Sequence, residues 1–169
     1  MINRPQPDEY SAYAGRYVDL VGNDPIVETL KSLKESTYNF FMSLDAGKAD
    51  YAYAEGKWTV KQVLGHMADT ERIFAYRALV FSREAITLPG FDQDVYVEKG
   101  TFNHRPLQDI ANEFKTIRES SVYLFSSMTD EQSAQKGIDN SNPFSARAYA
   151  YTMAGHEMHH INILKERYL

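Results

Sequence analysis

The sequence contains no cysteine, and this absence excludes several chemistries. Without a thiol the chain forms no disulfide, no thiolate zinc site and no cysteine nucleophile. Any metal ligands must then come from histidine, aspartate or glutamate. The absence of cysteine also fits a cytoplasmic protein, because disulfides are rare in that compartment.

Long hydrophobic runs and an excess of positive charge are missing as well. No apolar run approaches the roughly 18 residues that a membrane span needs, and no apolar core of a signal peptide follows residues 1–7. The formal net charge of −5 opposes general attraction to nucleic acid. We therefore expect a cytoplasmic protein that binds neither a membrane nor nucleic acid and acts on a small molecule.

The residues that are present suit one compact domain. A chain of 169 residues with 43% hydrophobic content can bury a substantial core. We expect a single domain over residues 1–169. Residues 1–24, rich in Pro, Tyr and Gly, are predicted to form a lead-in segment with a short turn of helix between Tyr10 and Tyr17.

Apolar residues recur at helical spacing in four segments, which predicts four long amphipathic helices. The segments cover about residues 24–44, 59–83, 106–128 and 145–168. No segment convincingly predicts a strand, and residues 141–143 are expected to form a turn. The fold class is therefore all-α, a four-helix bundle.

Three of these helices begin with capping signals. Asp24 is predicted to cap the first helix ahead of Pro25. Thr59 and Gln62 have the spacing of a capping box at the start of the second helix. Ser145 can cap the last helix.

The segment between the second and third helices, residues 84–105, is predicted to be non-helical. A loop of this length is uncommon in a compact domain and is often functional. It can equally be a plain crossover that joins two distant helix ends, and the two interpretations are compatible.

The histidines of the last helix are the main functional signal. His156 and His160 are four residues apart and share one helix face, so two imidazoles can hold one metal ion. His159 falls on a different, more polar face. The alternative is that His156 and His160 are core residues, although each then needs a polar partner away from water.

A site with chemistry usually has a third protein ligand and an open position. His66 and His104 are the two remaining histidines. We favour His66, because it lies at the edge of the buried stripe of a helix and helices hold ligands more firmly than loops. The alternative role for His66 is a buried or boundary histidine bonded to Asp69 or Arg77.

Charged residues near these histidines are candidates for supporting roles. Asp69 could orient an imidazole, or could be a solvated carboxylate. Arg77 could bind an anionic substrate. Asp92 and Asp94, in the long loop, could face the mouth of the site or cap turns. Glu157 points away from the ligand face and should be exposed or form an inter-helix salt bridge.

Three motifs in this order resemble the DinB/YfiT-like superfamily. Residues 57–72 resemble its second-helix motif, KWTVKQVLGHMADTER. Residues 88–94 resemble the loop that follows, LPGFDQD, and residues 154–160 resemble the C-terminal motif, AGHEMHH. The similar order and spacing cover nearly the whole chain.

The resemblance implies a four-helix bundle, often a homodimer, that holds one divalent metal ion with three histidines. Carried over to this sequence, the ligands are His66, His156 and His160, and His159 is not one of them. Imidazole ligands suit several metals, of which we expect zinc or nickel. Some members of the family are S-transferases that use low-molecular-weight thiols such as bacillithiol or mycothiol, and others are described as metal-dependent hydrolases.

These implications lead to an ordered set of functional expectations. The first is a thiol-dependent S-transferase acting on small electrophiles, with Asp69, Asp92 and Arg77 supporting the site. Because the chain has no cysteine, the thiol must come from outside. The alternatives are a hydrolase that uses metal-bound water and a non-catalytic module that binds a metal or ligand in a stress response.

Overall fold

The computed structural model describes residues 2–169, and these are mainly helical. The helices are α1 (Ala12–Val18), α2 (Ile26–Met42), α3 (Val60–Phe81), α4 (Gln93–Lys99), α5 (Leu107–Ser126), α6 (Asp130–Ala134) and α7 (Ala146–Arg167). Three short 3-10 turns cover Pro7–Glu9, Ala46–Lys48 and Phe102–His104. The four long helices α2, α3, α5 and α7 pack together as the expected bundle.

Two apolar clusters fill the two ends of the bundle and reveal the helix directions. One joins the start of α2 and α7 to the end of α3 and α5, through Leu30, Tyr149, Phe81 and Phe125 among others. The other joins the opposite ends, including Phe41, Leu164, Leu64 and Ile110. Thus α2 and α7 run one way while α3 and α5 run the other way.

This arrangement explains the long crossover. Because α3 and α5 are parallel, the chain must return along the bundle between them. The 22 residues of α3 span about 33 Å, a distance that needs about ten residues of extended chain. A short turn of the kind that joins antiparallel helices could not span this distance from the end of α3 to the start of α5.

The crossover is more ordered than expected. The prediction that residues 84–105 are non-helical is wrong in part, because α4 and the Phe102–His104 turn lie within them. The Asp92 side chain accepts hydrogen bonds from the backbone of Asp94 and Val95 and so caps α4. Two helical turns with one buried residue, Val97, are too short to show a helical period in the sequence.

A small sheet is the second difference from the prediction, which included no strands. Strand β2 (Lys136–Asp139) pairs antiparallel with β3 (Asn142–Ser145) and parallel with the two-residue β1 (Thr87–Leu88). The tight turn therefore lies at Asn140 and Ser141, both with positive φ, rather than at 141–143. Strands this short give little alternation of apolar and polar residues to detect.

The helix caps agree with the sequence at two places and differ at one. Thr59 and Gln62 form the capping box of α3, and the Ser145 side chain accepts from the backbone of Ala148. The Asp24 cap is wrong: Pro25 occupies the N-cap position of α2, without a side-chain cap. The proline ring holds φ near −65°, and Pro25, with φ −52° and ψ 126°, leads the chain into α2 without a side-chain acceptor.

The lead-in segment contains the expected short helix, α1, which packs on α7. Just before it, the buried Glu9 accepts hydrogen bonds from Ser145 Oγ and Arg147 Nε at 2.8 and 2.7 Å. These contacts anchor the lead-in to the start of α7. Within residues 2–169, no helix combines the length and apolarity required to cross a membrane.

Candidate metal centre

Three histidines from two helices come together between α3 and α7. The Nε2 atom of His156 lies 3.0 Å from Nε2 of His66 and 3.0 Å from Nε2 of His160. The ligand atoms of all three lie within 4.8 Å of one another. His66 and His156 are buried and His160 is partly buried. The structure thus brings together the three histidines that the sequence predicts as metal ligands.

Hydrogen bonding among these rings does not account for the cluster. Each neutral imidazole nitrogen offers either one N–H or one lone pair, yet Nε2 of His156 faces two other Nε2 atoms. A cation accepts all three lone pairs. Nitrogens about 2.0–2.1 Å from a tetrahedral zinc ion are about 3.3 Å apart, which is close to the two observed separations of 3.0 Å. The donor set and its geometry therefore fit a divalent ion.

Burial keeps these imidazoles in the neutral form that a metal requires. Burial lowers the pKa of His66 to about 4. Burial and the neighbouring histidines hold the pKa of His156 and of His160 well below the usual range. Near neutral pH no proton has to leave the rings before an ion binds.

Residues around the cluster fix the rings in place. Thr70 Oγ1 lies 3.3 Å from Nδ1 of His66. If Nε2 binds an ion, Nδ1 would carry the proton and would donate a hydrogen bond to the threonine hydroxyl. The Trp58 ring packs on His66 with a centroid distance of 4.8 Å, and the Tyr17 ring meets His156 edge-on at 5.4 Å.

A cavity of about 530 Å³ opens beside His66 and His156. This volume lies within the range of small-molecule sites. Its walls combine aromatic rings with neutral hydrogen-bonding groups from α1, α3, the crossover and the β2–β3 hairpin. Among them are Tyr13, Tyr17, Phe74, Phe91, Gln93, Asn140, Asn142 and Phe144. Substrate-sized molecules therefore have access to the cluster from this side.

Arg77 lines the same cavity, but its guanidinium already has partners. Nη1 lies 2.8 Å from Asp139 Oδ2, and Nη2 donates to the Pro89 carbonyl at 2.6 Å. The Tyr149 hydroxyl donates to the same Asp139 oxygen. Arg77 thus ties α3 to the crossover and to β2, and its role in binding an anionic substrate stays a prediction.

The two carboxylates proposed to support the site have other partners in the structure. Asp69 faces Arg72, 3.4 Å away, and burial raises its pKa. The side chain that meets the outer nitrogen of His66 is Thr70, four residues further along the same helix face. Asp92 is exposed and caps α4. It lies between Phe91 and Gln93, which line the 530 Å³ cavity, and its place at the mouth of the site stays a prediction.

The other two histidines and Glu157 lie outside the three-histidine cluster. His159 lies outside the cluster against Tyr17, as the helical projection predicts. His104 is exposed at the end of a 3-10 turn. Glu157 is buried, so the exposed alternative is wrong, and it forms the inter-helix alternative with Arg118 at 2.5 Å.

The site also uses residues that the sequence did not single out. Tyr17, Trp58, Thr70 and Phe74 all touch the histidine cluster or line its cavity. Thr70 carried a detectable signal, since it lies four residues after His66 on a predicted helix. Tyr17 carried none, because its contact depends on how the lead-in folds back over α7.

Comparisons with known proteins agree with this architecture. The model of the DinB superfamily matches residues 29–164. The chain belongs to the DinB superfamily. This DinB chain is 28% identical over 141 residues to a protein of Oceanobacillus iheyensis named "putative metal-dependent hydrolase", covering 82% of the chain and 79% of that protein.

A solved structure supports the fold of this DinB protein. YfiT from Bacillus subtilis superposes with a TM-score of 0.71, over 98% of this chain and 91% of YfiT, at 17% sequence identity. YfiT is described as a probable metal-dependent hydrolase with an unusual four-helix bundle topology. The likeness confirms the predicted four-helix bundle.

The buried histidines predict a specific pH dependence of stability. An unfolded histidine takes up a proton near pH 6.5, whereas folded His66 does so only near pH 4. Between these values the unfolded chain binds more protons, so the free energy of unfolding of the metal-free protein falls as the pH falls. His66 alone contributes a loss of about 3 kcal/mol across this range.

Urea unfolding of the metal-free protein at pH 7 and pH 5 checks this expectation. The His66→Gln variant should lose less stability over the interval than the wild type. Equal losses in the two proteins would contradict the assignment of His66 as a buried neutral imidazole.

Proposed function

We propose that this DinB protein is a divalent-metal-dependent hydrolase with His66, His156 and His160 as the ligands. The observation that carries the proposal is the convergence of three neutral imidazole nitrogens beside a cavity of about 530 Å³. The names of the Oceanobacillus iheyensis relative and of YfiT support the same activity. We therefore place hydrolysis ahead of the thiol transfer that the sequence favoured.

The ligand set determines the chemistry that a bound ion would supply. Three neutral ligands would leave a divalent ion its full charge and an open position, at which the ion would lower the pKa of a water toward 7 or polarise a carbonyl. The three histidines would hold the ion. The Trp58 ring packs against His66 and the Phe74 ring against His156, and both limit the access of bulk water to these imidazoles.

Tyr17 is the proposed hydrogen-bond donor to the substrate. Burial and the neighbouring Tyr13 hydroxyl raise the pKa of Tyr17, so its phenol stays protonated. Its ring contacts His156 and lines the cavity. A protonated hydroxyl at this place can donate to an oxygen on which negative charge develops during the reaction.

Thiol-dependent S-transfer is the second candidate, and the lining of the cavity favours it. The amides of Gln93, Asn140 and Asn142 lie on the wall, and neutral amides suit a thiol cofactor that carries polar groups. The protein itself supplies no thiol. The three histidines would hold an ion that binds the external thiol as a thiolate.

One set of assays separates these functions. The protein is loaded with zinc or with nickel and incubated with 4-nitrophenyl esters, small amides and an electrophile such as monochlorobimane, each with and without bacillithiol. Hydrolysis without thiol, lost on chelation and restored by metal, supports the hydrolase. Conjugation that requires both metal and thiol supports the transferase. Tight metal binding without turnover in either assay favours the non-catalytic binding module.

We propose the two partners that the sequence predicts, a small-molecule substrate and a second copy of the chain. The cavity has the size for a small-molecule substrate. A homodimer in solution remains our proposal from the family resemblance, and light scattering coupled to gel filtration tests it.

A further inference from the structure

A layer of buried polar residues crosses the middle of the bundle, between its two apolar clusters. Each long helix contributes one residue: Thr37 from α2, Glu71 from α3, Arg118 from α5 and Glu157 from α7. The Arg118 side chain is fully buried. The layer lies outside the cavity and includes none of the three histidines.

The Arg118 guanidinium pairs with a carboxylate from each of the two helices that carry the candidate metal ligands. Nε and Nη2 donate to the two oxygens of Glu71 at 2.7 and 2.6 Å, a bidentate pair. Nη1 lies 2.5 Å from an oxygen of Glu157. Arg118 itself belongs to α5, which contributes no ligand. One buried side chain of α5 therefore connects α3 to α7 inside the bundle.

The bridge and the histidines lie at the same level of the bundle. Glu157 follows His156 directly, and Glu71 follows Thr70, whose hydroxyl meets His66. Adjacent residues of a helix point about 100° apart. The carboxylates thus face Arg118 on one side of the contact between α3 and α7, while the imidazoles meet on the other side.

A gain in folding stability does not by itself explain the buried bridge of Glu71, Arg118 and Glu157. Removing ions from water has a large free-energy cost, and apolar residues of similar size often replace a buried ion pair with no loss of stability. What an apolar replacement does not reproduce is the fixed length and direction of bidentate hydrogen bonds. A three-histidine centre shared between two helices needs a fixed separation of those helices.

We propose that Arg118, with Glu71 and Glu157, sets the separation of α3 and α7 and thereby the geometry of the three-histidine centre. These three are positioning residues: they touch neither the ion nor the substrate. The inference rests on the proposed metal centre. It predicts that the bridge controls metal affinity and coordination geometry even where the fold is retained.

The test replaces the bridge with apolar residues of similar size, in the triple variant Glu71→Leu, Arg118→Met and Glu157→Leu. Its zinc Kd is measured by competition with a chelating indicator, and its cobalt form by the absorption bands of the ion. We expect a Kd about 10–100-fold higher than in the wild type, as for the loss of supporting hydrogen bonds around metal ligands. The cobalt bands should shift as well.

A second buried ion pair on α7 provides the control. Glu9→Gln weakens the Glu9–Arg147 pair, which lies nine residues, or about 13 Å of helix, from His156. This variant should unfold at a lower temperature but keep the wild-type zinc Kd and cobalt bands. If the triple variant does not fold, the zinc Kd and the cobalt bands are measured on Arg118→Lys instead. Lysine keeps the positive charge but cannot form the bidentate hydrogen bonds, so the same changes are expected.

The possible outcomes separate the two proposals. A folded bridge variant with the wild-type Kd and cobalt bands overturns the positioning role and leaves the metal centre standing. A wild-type protein that takes up neither zinc nor cobalt overturns the metal centre, and this inference with it.

Discussion

Replacing His160 with alanine should abolish stoichiometric metal binding, and His66→Ala should do the same. The purified wild-type protein is expected to hold about one divalent ion per chain. Each variant leaves two imidazoles, one fewer than the three protein ligands of an ordinary open site. Because lost supporting contacts alone raise a metal Kd by about 10–100-fold, loss of a ligand should raise it by more than about 100-fold.

Elemental mass spectrometry of the purified proteins and zinc titrations measure this effect. His159→Ala is the matched control, because it removes a neighbouring histidine of the same helix that lies outside the cluster. It should keep one ion per chain. Equal metal content in His160→Ala and His159→Ala would contradict the assignment of the ligands.

Replacing Gly155 with alanine should destabilise the protein by about 3 kcal/mol. An alanine Cβ at this position would lie 1.9 Å from the Tyr17 carbonyl oxygen, where α1 crosses α7. Within a helix, glycine to alanine is normally stabilising by about 1 kcal/mol. The two effects on the free energy of unfolding have opposite signs. We expect the clash to be the larger effect, because the added Cβ meets the Tyr17 backbone, which cannot rotate away as a side chain can.

Urea unfolding measures the loss, and hydrogen exchange shows where it arises. Faster exchange at the amides of α1 is expected, since this helix must move off α7. Gly22→Ala is the control: no atom lies within 4 Å of its added Cβ, so its stability should change by less than about 0.5 kcal/mol. A stabilised Gly155→Ala protein would show that α1 does not approach α7 this closely.

The part of the site that depends on one helix was predictable from the sequence. The spacing of His156 and His160 places them on one face whatever surrounds the helix. His66 was found because it lies on a strongly periodic segment that could only pack inward. The contact of Tyr17 with His156 was not predictable in this way, since it depends on the path of the lead-in over Gly155.

The bundle was predictable for the same reason, and the additions to it were not. Each of the four long helices has an apolar stripe long enough to show its period. Strand β2 and helix α4 are four and seven residues long, and each buries a single residue. The buried Arg118 was missed because charged residues are usually exposed. Its position four residues after Phe114, on the buried side of α5, was the available signal.

The distance along the chain between His66 and His156 has a consequence for folding. An ion shared by these residues joins positions 90 apart in the sequence and so closes a long loop, much as a crosslink would. Until α7 has docked on α3, the unfolded chain offers at most the local pair His156 and His160. The ion should therefore bind late in folding and act mainly by slowing unfolding, because release requires α3 and α7 to separate.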